Sequence, residues 1–181
     1  MEVHVETRDI LEMGPEVLGL WFFSDERPLK GLNGLVDWRL EAKLSHLIMS
    51  GFLSGDYGEK TLMGPAGELP RTALLFIGLG GLNELIPERV RKAGELMAQT
   101  AVLLCRESLC VSLPGSGITG MNIVSSAEHM LAGFAQEIGE RRFLLKVHCA
   151  PEDVDEAVLG FQKTKVSMKT FLHTKIIQEK S

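Results

Sequence analysis

The sequence predicts an α/β protein, a three-layer α/β/α sandwich built on a central mixed but mainly parallel sheet. In the second half of the chain, short apolar stretches alternate with segments whose apolar residues recur at steps of three and four. Strands that alternate with helices in this way form parallel sheets with helices on both faces. The chain has 181 residues, 45% of them hydrophobic and 24% charged, which is typical of one globular domain with a substantial core.

The strands are predicted from two patterns. Some segments alternate apolar and polar residues, as in a half-buried strand, and others are almost continuously apolar, as in a strand covered on both faces. Residues 52–70 are rich in glycine and predict a loop or hairpin with a short strand near 61–63. The predicted strands are 2–8, 17–23, 73–79, 109–113 and 141–150.

The helices are predicted from apolar stripes at helical spacing. Pro87 and Pro151 suit the first turn of a helix, where the missing N–H costs nothing. Ser125 and Glu128 have the spacing of a capping box. Both tryptophans are expected in the core. The predicted helices are 35–50, 87–106, 125–138 closed by Gly139, and one that opens at Pro151.

The organisation predicted is a single domain over residues 1–165, followed by a basic and apolar tail over residues 166–181. We expect the tail to dock on its own domain or on a second subunit rather than to act as a basic binding arm. A homo-oligomer is therefore one expected partnership.

Charge and composition exclude several function classes. The formal net charge is −5, without the clustered Lys and Arg that nucleic-acid binding requires. No window approaches the roughly 18 uncharged apolar residues that span a bilayer, and the first residues do not resemble a secretory signal. We therefore expect no nucleic-acid or membrane partner and a cytoplasmic location.

Metal and cofactor chemistry has little support in the sequence. The three cysteines, Cys105, Cys110 and Cys149, are expected to be reduced thiols in the core. The five histidines include no H-E-x-x-H pair, and His129 and His148 are expected to be structural. No metal, cofactor or catalytic residue is predicted.

Two glycine clusters follow predicted strands, where ligands bind in open α/β sheets. Without Cβ atoms, successive backbone N–H groups can approach an anion closely. The first cluster is at 78–83, and the second, at 115–120, spells G-x-G-x-x-G. Asp25 follows the second strand and completes the candidate set, although acidic residues there more often cap or solvate helices. The predicted ligand contacts are Gly115, Ser116, Gly117, Ile118, Thr119, Gly120, Gly78, Gly80, Gly81 and Asp25.

Two other interpretations of these clusters stay open. The glycines of either cluster could simply make tight turns. A dinucleotide-binding fold is disfavoured, because the helix after the second cluster is expected near Ser125 and not within the motif. In addition, the acidic residues Glu137 and Glu140 precede the next strand, whereas that fold needs one after it.

Two long segments resemble the N-terminal domain of the cytosolic leucyl aminopeptidase family, over about residues 15–115. They are FFSDERPLKGLNGLVDWRLEAKLSHLIMSGFLSGDYGEKTL and LPRTALLFIGLGGLNELIPERVRKAGELMAQTA. That domain is similar in fold to the macro domain. The remaining segments LCVSLPGSGITGMNIVSSAEHML and RRFLLKVHCAPEDVDEAVLGFQK are similar to the phosphate loop region and the last strand and helix of macro domains. The resemblance therefore implies a macro-domain-like fold.

The resemblance also shapes the expected function. The family's two metal ions and catalytic residues belong to a separate C-terminal domain, and no segment here matches its Asn-Thr-Asp-Ala-Glu-Gly-Arg motif, so peptidase activity is not expected. In macro domains that bind ADP-ribose, the diphosphate lies between two glycine-containing loops, which correspond here to residues 115–120 and 30–35. The asparagine that usually follows the strand is replaced around Ser24 and Asp25, so ADP-ribose hydrolysis is not expected.

We therefore expect a non-catalytic macro-like domain that binds a phosphate-bearing small molecule, such as a nucleotide or an ADP-ribose-like compound. The alternative is a protein-interaction, oligomerisation or regulatory module without a small-molecule ligand, pairing with itself or with an aminopeptidase.

Overall fold

A seven-stranded sheet forms the centre of the protein, which we describe from a computed structural model over residues 1–168 and the backbone of 176–178. The spatial order is β3-β4-β2-β5-β6-β1-β7. Only the β3–β4 pair is antiparallel, which confirms the predicted mixed, mainly parallel sheet. The strands are β1 (Glu2–Glu6), β2 (Val17–Phe23), β3 (Lys60–Met63), β4 (Ala73–Gly80), β5 (Ser108–Ser112), β6 (Leu144–His148) and β7 (Ile176–Gln178).

Three helices, α3 (Pro87–Leu103), α4 (Ile123–Ile138) and α5 (Val154–Ser167), cover one face of the sheet. Their backbones approach each other closely. A Cβ on Gly94 of α3 would lie 2.5 Å from the carbonyl oxygen of Met130 in α4, and Gly133 faces the carbonyl of Arg91 in the same way. Glycine is required at these crossings because any side chain would collide with backbone.

Two short helices, α1 (Gly31–Arg39) and α2 (Lys43–Met49), cover the other face over β2 and β4. The predicted single helix 35–50 is wrong. The chain breaks where Glu41 and Ala42 take positive φ values of 52° and 62°, which no right-handed helix allows. The carboxylate of Asp37 then accepts the N–H and hydroxyl of Ser45, so it caps the first turn of α2.

Three further expectations need correction. Trp38 is not a core residue, since 73% of its surface is exposed, whereas Trp21 is buried as expected. Helix α4 begins at Ile123, and its cap is Asn122, whose side chain accepts the N–H of Ser125 at 3.2 Å. Ser125 is thus inside the helix and forms no capping box. Cys105 is exposed, while Cys110 and Cys149 are buried.

The predicted tail lies mostly outside the described residues, which omit 169–175 and 179–181. Within them, α5 runs to Ser167, and β7 adds to the sheet edge by pairing parallel to β1. The tail is expected to dock as a helix or strand on its own domain or on a second subunit, and β7 pairs with β1 of its own domain. The sequence did not predict which residues form this strand. The division into a domain at 1–165 and a tail at 166–181 stays a prediction.

Candidate functional site

A cleft of about 190 Å³ opens at the carboxyl ends of β2, β5 and β6. This is the edge where ligands bind in open α/β sheets, because the loops that follow parallel strands converge there. Apolar side chains form most of its floor, and two loops form its walls. The lining residues are Trp21, Phe23, Gly31, Leu32, Asn33, Ser112, Leu113, Gly115, Ser116, Ile118, His148, Cys149 and Ala150.

One wall is the second predicted glycine cluster, residues 115–120. The N–H groups of Ile118 and Thr119 donate to the carbonyl of Gly115 at 3.1 and 2.9 Å, which folds the loop into tight turns. Gly115 and Gly117 have φ values of 74° and 68°, a conformation that favours glycine. Within the described residues, the N–H groups of Gly115, Gly117 and Gly120 have no hydrogen-bond acceptor. These three N–H groups are therefore available to donate hydrogen bonds to a ligand.

Not every residue of this loop reaches the cleft. Gly115, Ser116 and Ile118 line it. The hydroxyl of Thr119 instead donates to the carbonyl of Gly115 at 3.1 Å, so it braces the loop. Around Gly117 and Gly120 the space that a Cβ would occupy is open for at least 4 Å.

The opposite wall is the first turn of α1, where Gly31, Leu32 and Asn33 line the cleft. No side chain caps this helix, so its first N–H groups are available to a ligand. A Cβ on Gly31 would lie 3.9 Å from Cδ1 of Ile118, which shows that the two walls are close. Two sets of backbone donors thus border one cleft, and the positive end of the α1 dipole adds to them.

Glu26 and Asn33 hold the α1 wall in place. Glu26 is only 1% exposed, and its carboxylate accepts the N–H of Lys30 at 2.7 Å and the Asn33 amide at 3.5 Å. The same amide of Asn33 donates to the carbonyl of Trp21 at 2.8 Å. Burial raises the pKa of Glu26, because it disfavours the charged form.

Sequence reasoning missed this support. The sequence indicates only that the acidic residues after the second strand, Asp25 and Glu26, cap or solvate helices, and it does not predict the contact between Glu26 and Asn33. The sequence feature that could have indicated it is the position of Glu26, four residues before Lys30, the residue that precedes the first residue of α1.

The floor of the cleft offers little reactive chemistry. The indole N–H of Trp21 donates to the carbonyl of Ser112 at 2.7 Å, which joins β2 to β5 beneath the cleft. Burial raises the pKa of the Cys149 thiol to about 11, so it stays protonated and unreactive at neutral pH. His148 is half-buried at one end of the cleft, and burial lowers its pKa. His148 was expected to be structural and was not predicted as a site residue.

The first glycine cluster lies beside the cleft, not in its lining. Gly78 lies against the backbone of Asp56, and a Cβ on Gly80 would lie 2.7 Å from the guanidinium of Arg89. Gly81 is next to Asp25, whose carboxylate accepts the N–H of Leu82 at 2.8 Å. These glycines make room for protein atoms. Ligand contacts by Gly78, Gly80, Gly81 and Asp25 stay a prediction.

Residues 1–168 and 176–178 contain no cluster of three or more His, Cys, Asp or Glu that could hold a metal ion. Among their helices, none is both long enough and apolar enough to cross a membrane.

Solved structures with a similar fold are macrodomains. A macrodomain from Oceanobacillus iheyensis with ADP is 13% identical, with a TM-score of 0.72, and the match covers 91% of this chain and 92% of that chain. A Trypanosoma brucei macrodomain in complex with ADP-ribose is 14% identical, with a TM-score of 0.63, over 78% and 61% of the two chains. The protein therefore has a macrodomain-like fold.

The sequence itself identifies the family. Residues 17–138 match the model of the cytosol aminopeptidase family, N-terminal domain, and the chain belongs to this family. The structure of a tomato leucine aminopeptidase mutant is 15% identical with a TM-score of 0.67. That match covers 89% of this chain but only 35% of the tomato chain. No curated protein sequence matches the chain.

Proposed function

We propose that this domain binds a phosphate-bearing small molecule, a nucleotide or an ADP-ribose-like compound, between the Gly115–Gly120 loop and the first turn of α1. The observation that carries the proposal is the convergence of backbone donors from both walls on one cleft. Phosphate oxygens accept such hydrogen bonds, and the α1 dipole favours their negative charge.

The rest of the cleft suits the remainder of such a ligand. Trp21, Phe23 and Leu113 give it an apolar floor, against which a base or sugar face can pack. Ser116 adds a hydroxyl group to the lining. The macrodomains of similar fold include structures with ADP and with ADP-ribose, which supports the same ligand class here.

The proposal is binding without catalysis. Within the described residues, the cleft lining contains no carboxylate, and its thiol, Cys149, is held protonated by burial. A hydrolytic role would need a general base within hydrogen-bond reach of the reacting group. The one such base in this lining is His148, and we propose no catalytic step for it. We also propose a cytoplasmic location and a domain at 1–165 that functions with a tail at 166–181.

An interaction module is the second candidate. Three large apolar side chains in the α1–α2 layer are mostly exposed: Trp38 by 73%, Met49 by 75% and Phe52 by 66%. Exposed apolar side chains of this size favour a protein contact when they are contiguous. The partner would be a second copy of the chain or an aminopeptidase, and nucleic acid is not proposed.

The test is thermal unfolding and titration calorimetry with ADP-ribose, ADP and adenosine. A ligand that prefers the folded state stabilises it by about 2.7 kcal/mol at a hundred times its Kd. We expect ADP-ribose and ADP to raise Tm and adenosine, which lacks phosphate, to have a much smaller effect. Equal effects of all three would contradict phosphate recognition. No effect of any would favour the interaction module, whose oligomeric state light scattering would then measure.

A further inference from the structure

The proposed cleft has an unusual electrostatic property. Its side-chain lining, within the described residues, contains no Lys or Arg, although the proposed ligand is an anion. Backbone N–H groups supply partial charges only. The one lining side chain that can gain a full positive charge is His148, at the carboxyl end of β6.

The sheet register places His148 between two residues of the adjacent strands. It pairs with Glu6 of β1 on one side and with Ser112 of β5 on the other. Paired residues of adjacent strands project to the same face, so the three side chains stand side by side. The negative charges of Glu6 and Asp9 both act on His148 and oppose the effect of its burial.

Glu6 has spare acceptor capacity. It is 1% exposed, and its Oε2 accepts Nε and Nη2 of Arg8 at 3.2 and 2.9 Å. Its Oε1 is also buried and has no hydrogen-bond partner in the described residues. A buried carboxylate oxygen without a donor is costly, and a protonated imidazole on the adjacent strand is the kind of donor that it lacks.

We propose that His148, supported by Glu6, is the proton-dependent cation of this cleft, so that the protein takes up a proton when an anionic ligand binds. The inference rests on the proposed function and adds regulation to it. In this proposal His148 supplies the positive charge that a permanently charged Lys or Arg supplies in other anion sites.

The direction of the pH dependence follows from linkage. Burial holds the pKa of His148 below its ordinary value in the free protein, so the ring is neutral at neutral pH. A bound phosphate favours the charged ring and raises that pKa. Affinity must then increase as pH falls from the bound towards the free pKa. The groups that act on His148 from the packed elements are Glu6 and Asp9 beside β1, Arg8 through Glu6, and Ser112 on β5. Asp153 acts on the adjacent residue, Cys149.

The experiment is calorimetric titration of the full chain with ADP-ribose at about pH 8 and about pH 6. Each phosphate of ADP-ribose has one ester and one anhydride bond and therefore no second ionisation near neutral pH, so the ligand keeps its charge over this range and any pH dependence belongs to the protein. We expect affinity to rise on the order of fivefold to tenfold. Titration in two buffers of different ionisation enthalpy should show net proton uptake near pH 7.

The variant is His148→Gln, with His46→Gln as the matched control, since His46 is exposed on α2 away from the cleft. His148→Gln should bind ADP-ribose with nearly the same affinity at both pH values and without proton uptake, whereas His46→Gln should behave as wild type. Glu6→Gln should weaken the pH dependence. Thermal unfolding of each variant without ligand confirms that it is folded.

Each result is decisive. Wild-type binding that does not change with pH, or a pH dependence that survives in folded His148→Gln, overturns the inference and leaves the proposed function intact. Absence of binding of both ADP-ribose and ADP at every pH overturns both.

Discussion

Replacement of Gly117 by valine tests the loop that gives the cleft its backbone donors. Gly117 has a φ of 68°, and no atom lies within 4 Å of the position of a Cβ. Valine would therefore meet no steric clash with a neighbour. Its cost comes from the backbone, since the left-handed region is unfavourable for an L-residue by roughly 1–2 kcal/mol, and β-branched residues are the least tolerant.

Gly51→Val is the matched control. Gly51 follows α2, has a φ of 73° and likewise has no atom within 4 Å of a Cβ. It belongs neither to the Gly115–Gly120 loop nor to the cleft lining. Both variants should lose a similar 1–2 kcal/mol or so of unfolding free energy in urea titrations, because the backbone strain is the same.

Binding should separate the two variants. Gly117 lies between Ser116 and Ile118, which line the cleft, and relief of the backbone strain in Gly117→Val would turn the N–H groups of this loop. We expect calorimetry to show ADP-ribose affinity at least about tenfold weaker for Gly117→Val, a loss of about 1.4 kcal/mol, and unchanged for Gly51→Val. Unchanged affinity in folded Gly117→Val would refute the role of the loop. Equal losses in both variants would mean that destabilisation, and not the site, weakens binding.

Two further predictions concern stability. Gly133→Ala should lower the unfolding free energy by about 1–3 kcal/mol, because its methyl group would collide with the Arg91 carbonyl. Gly64→Ala is the control, because the space around Gly64 is open. Equal losses of unfolding free energy in urea titrations of the two variants would contradict this packing. Glu26 has a raised pKa in the folded protein, so the stability that its proton confers is lost as pH rises through that value. Between about pH 4 and pH 7, the unfolding free energy of wild type should therefore fall relative to that of Glu26→Gln. A rise of the wild-type value relative to the variant would refute the argument.

Strong local patterns predicted most of the fold. The strands β2 and β4 are recognisable because nearly every residue is apolar, and β4 is bounded by glycines. The break between α1 and α2 was not predictable, because Glu41 and Ala42 are good helix formers and nothing in their residue types favours a positive φ. Trp38 was misassigned because its size suggested burial, although its helix face points to solvent.

The candidate site was predictable only where backbone chemistry follows directly from glycine content. The loop at 115–120 borders the cleft, whereas Gly78 and Gly80 lack side chains because protein atoms need the space. Glycine in a sequence does not distinguish these two uses. Glu26 and His148 were not predicted for another reason, because each depends on a residue of another element. Glu26 contacts Asn33 of α1, and His148 pairs with Glu6 of β1.

The glycine crossings of α3 and α4 bear on how the cleft can move. Where two backbones touch directly, neither helix can slide or roll without breaking van der Waals contact along its length, so this layer and the sheet behave as one stiff body. The α1–α2 layer is smaller, is interrupted at Glu41 and Ala42, and is held at its start by Glu26. If the cleft opens or narrows when a ligand enters, we therefore expect α1 to move as a hinge and the Gly115–Gly120 loop to stay in place.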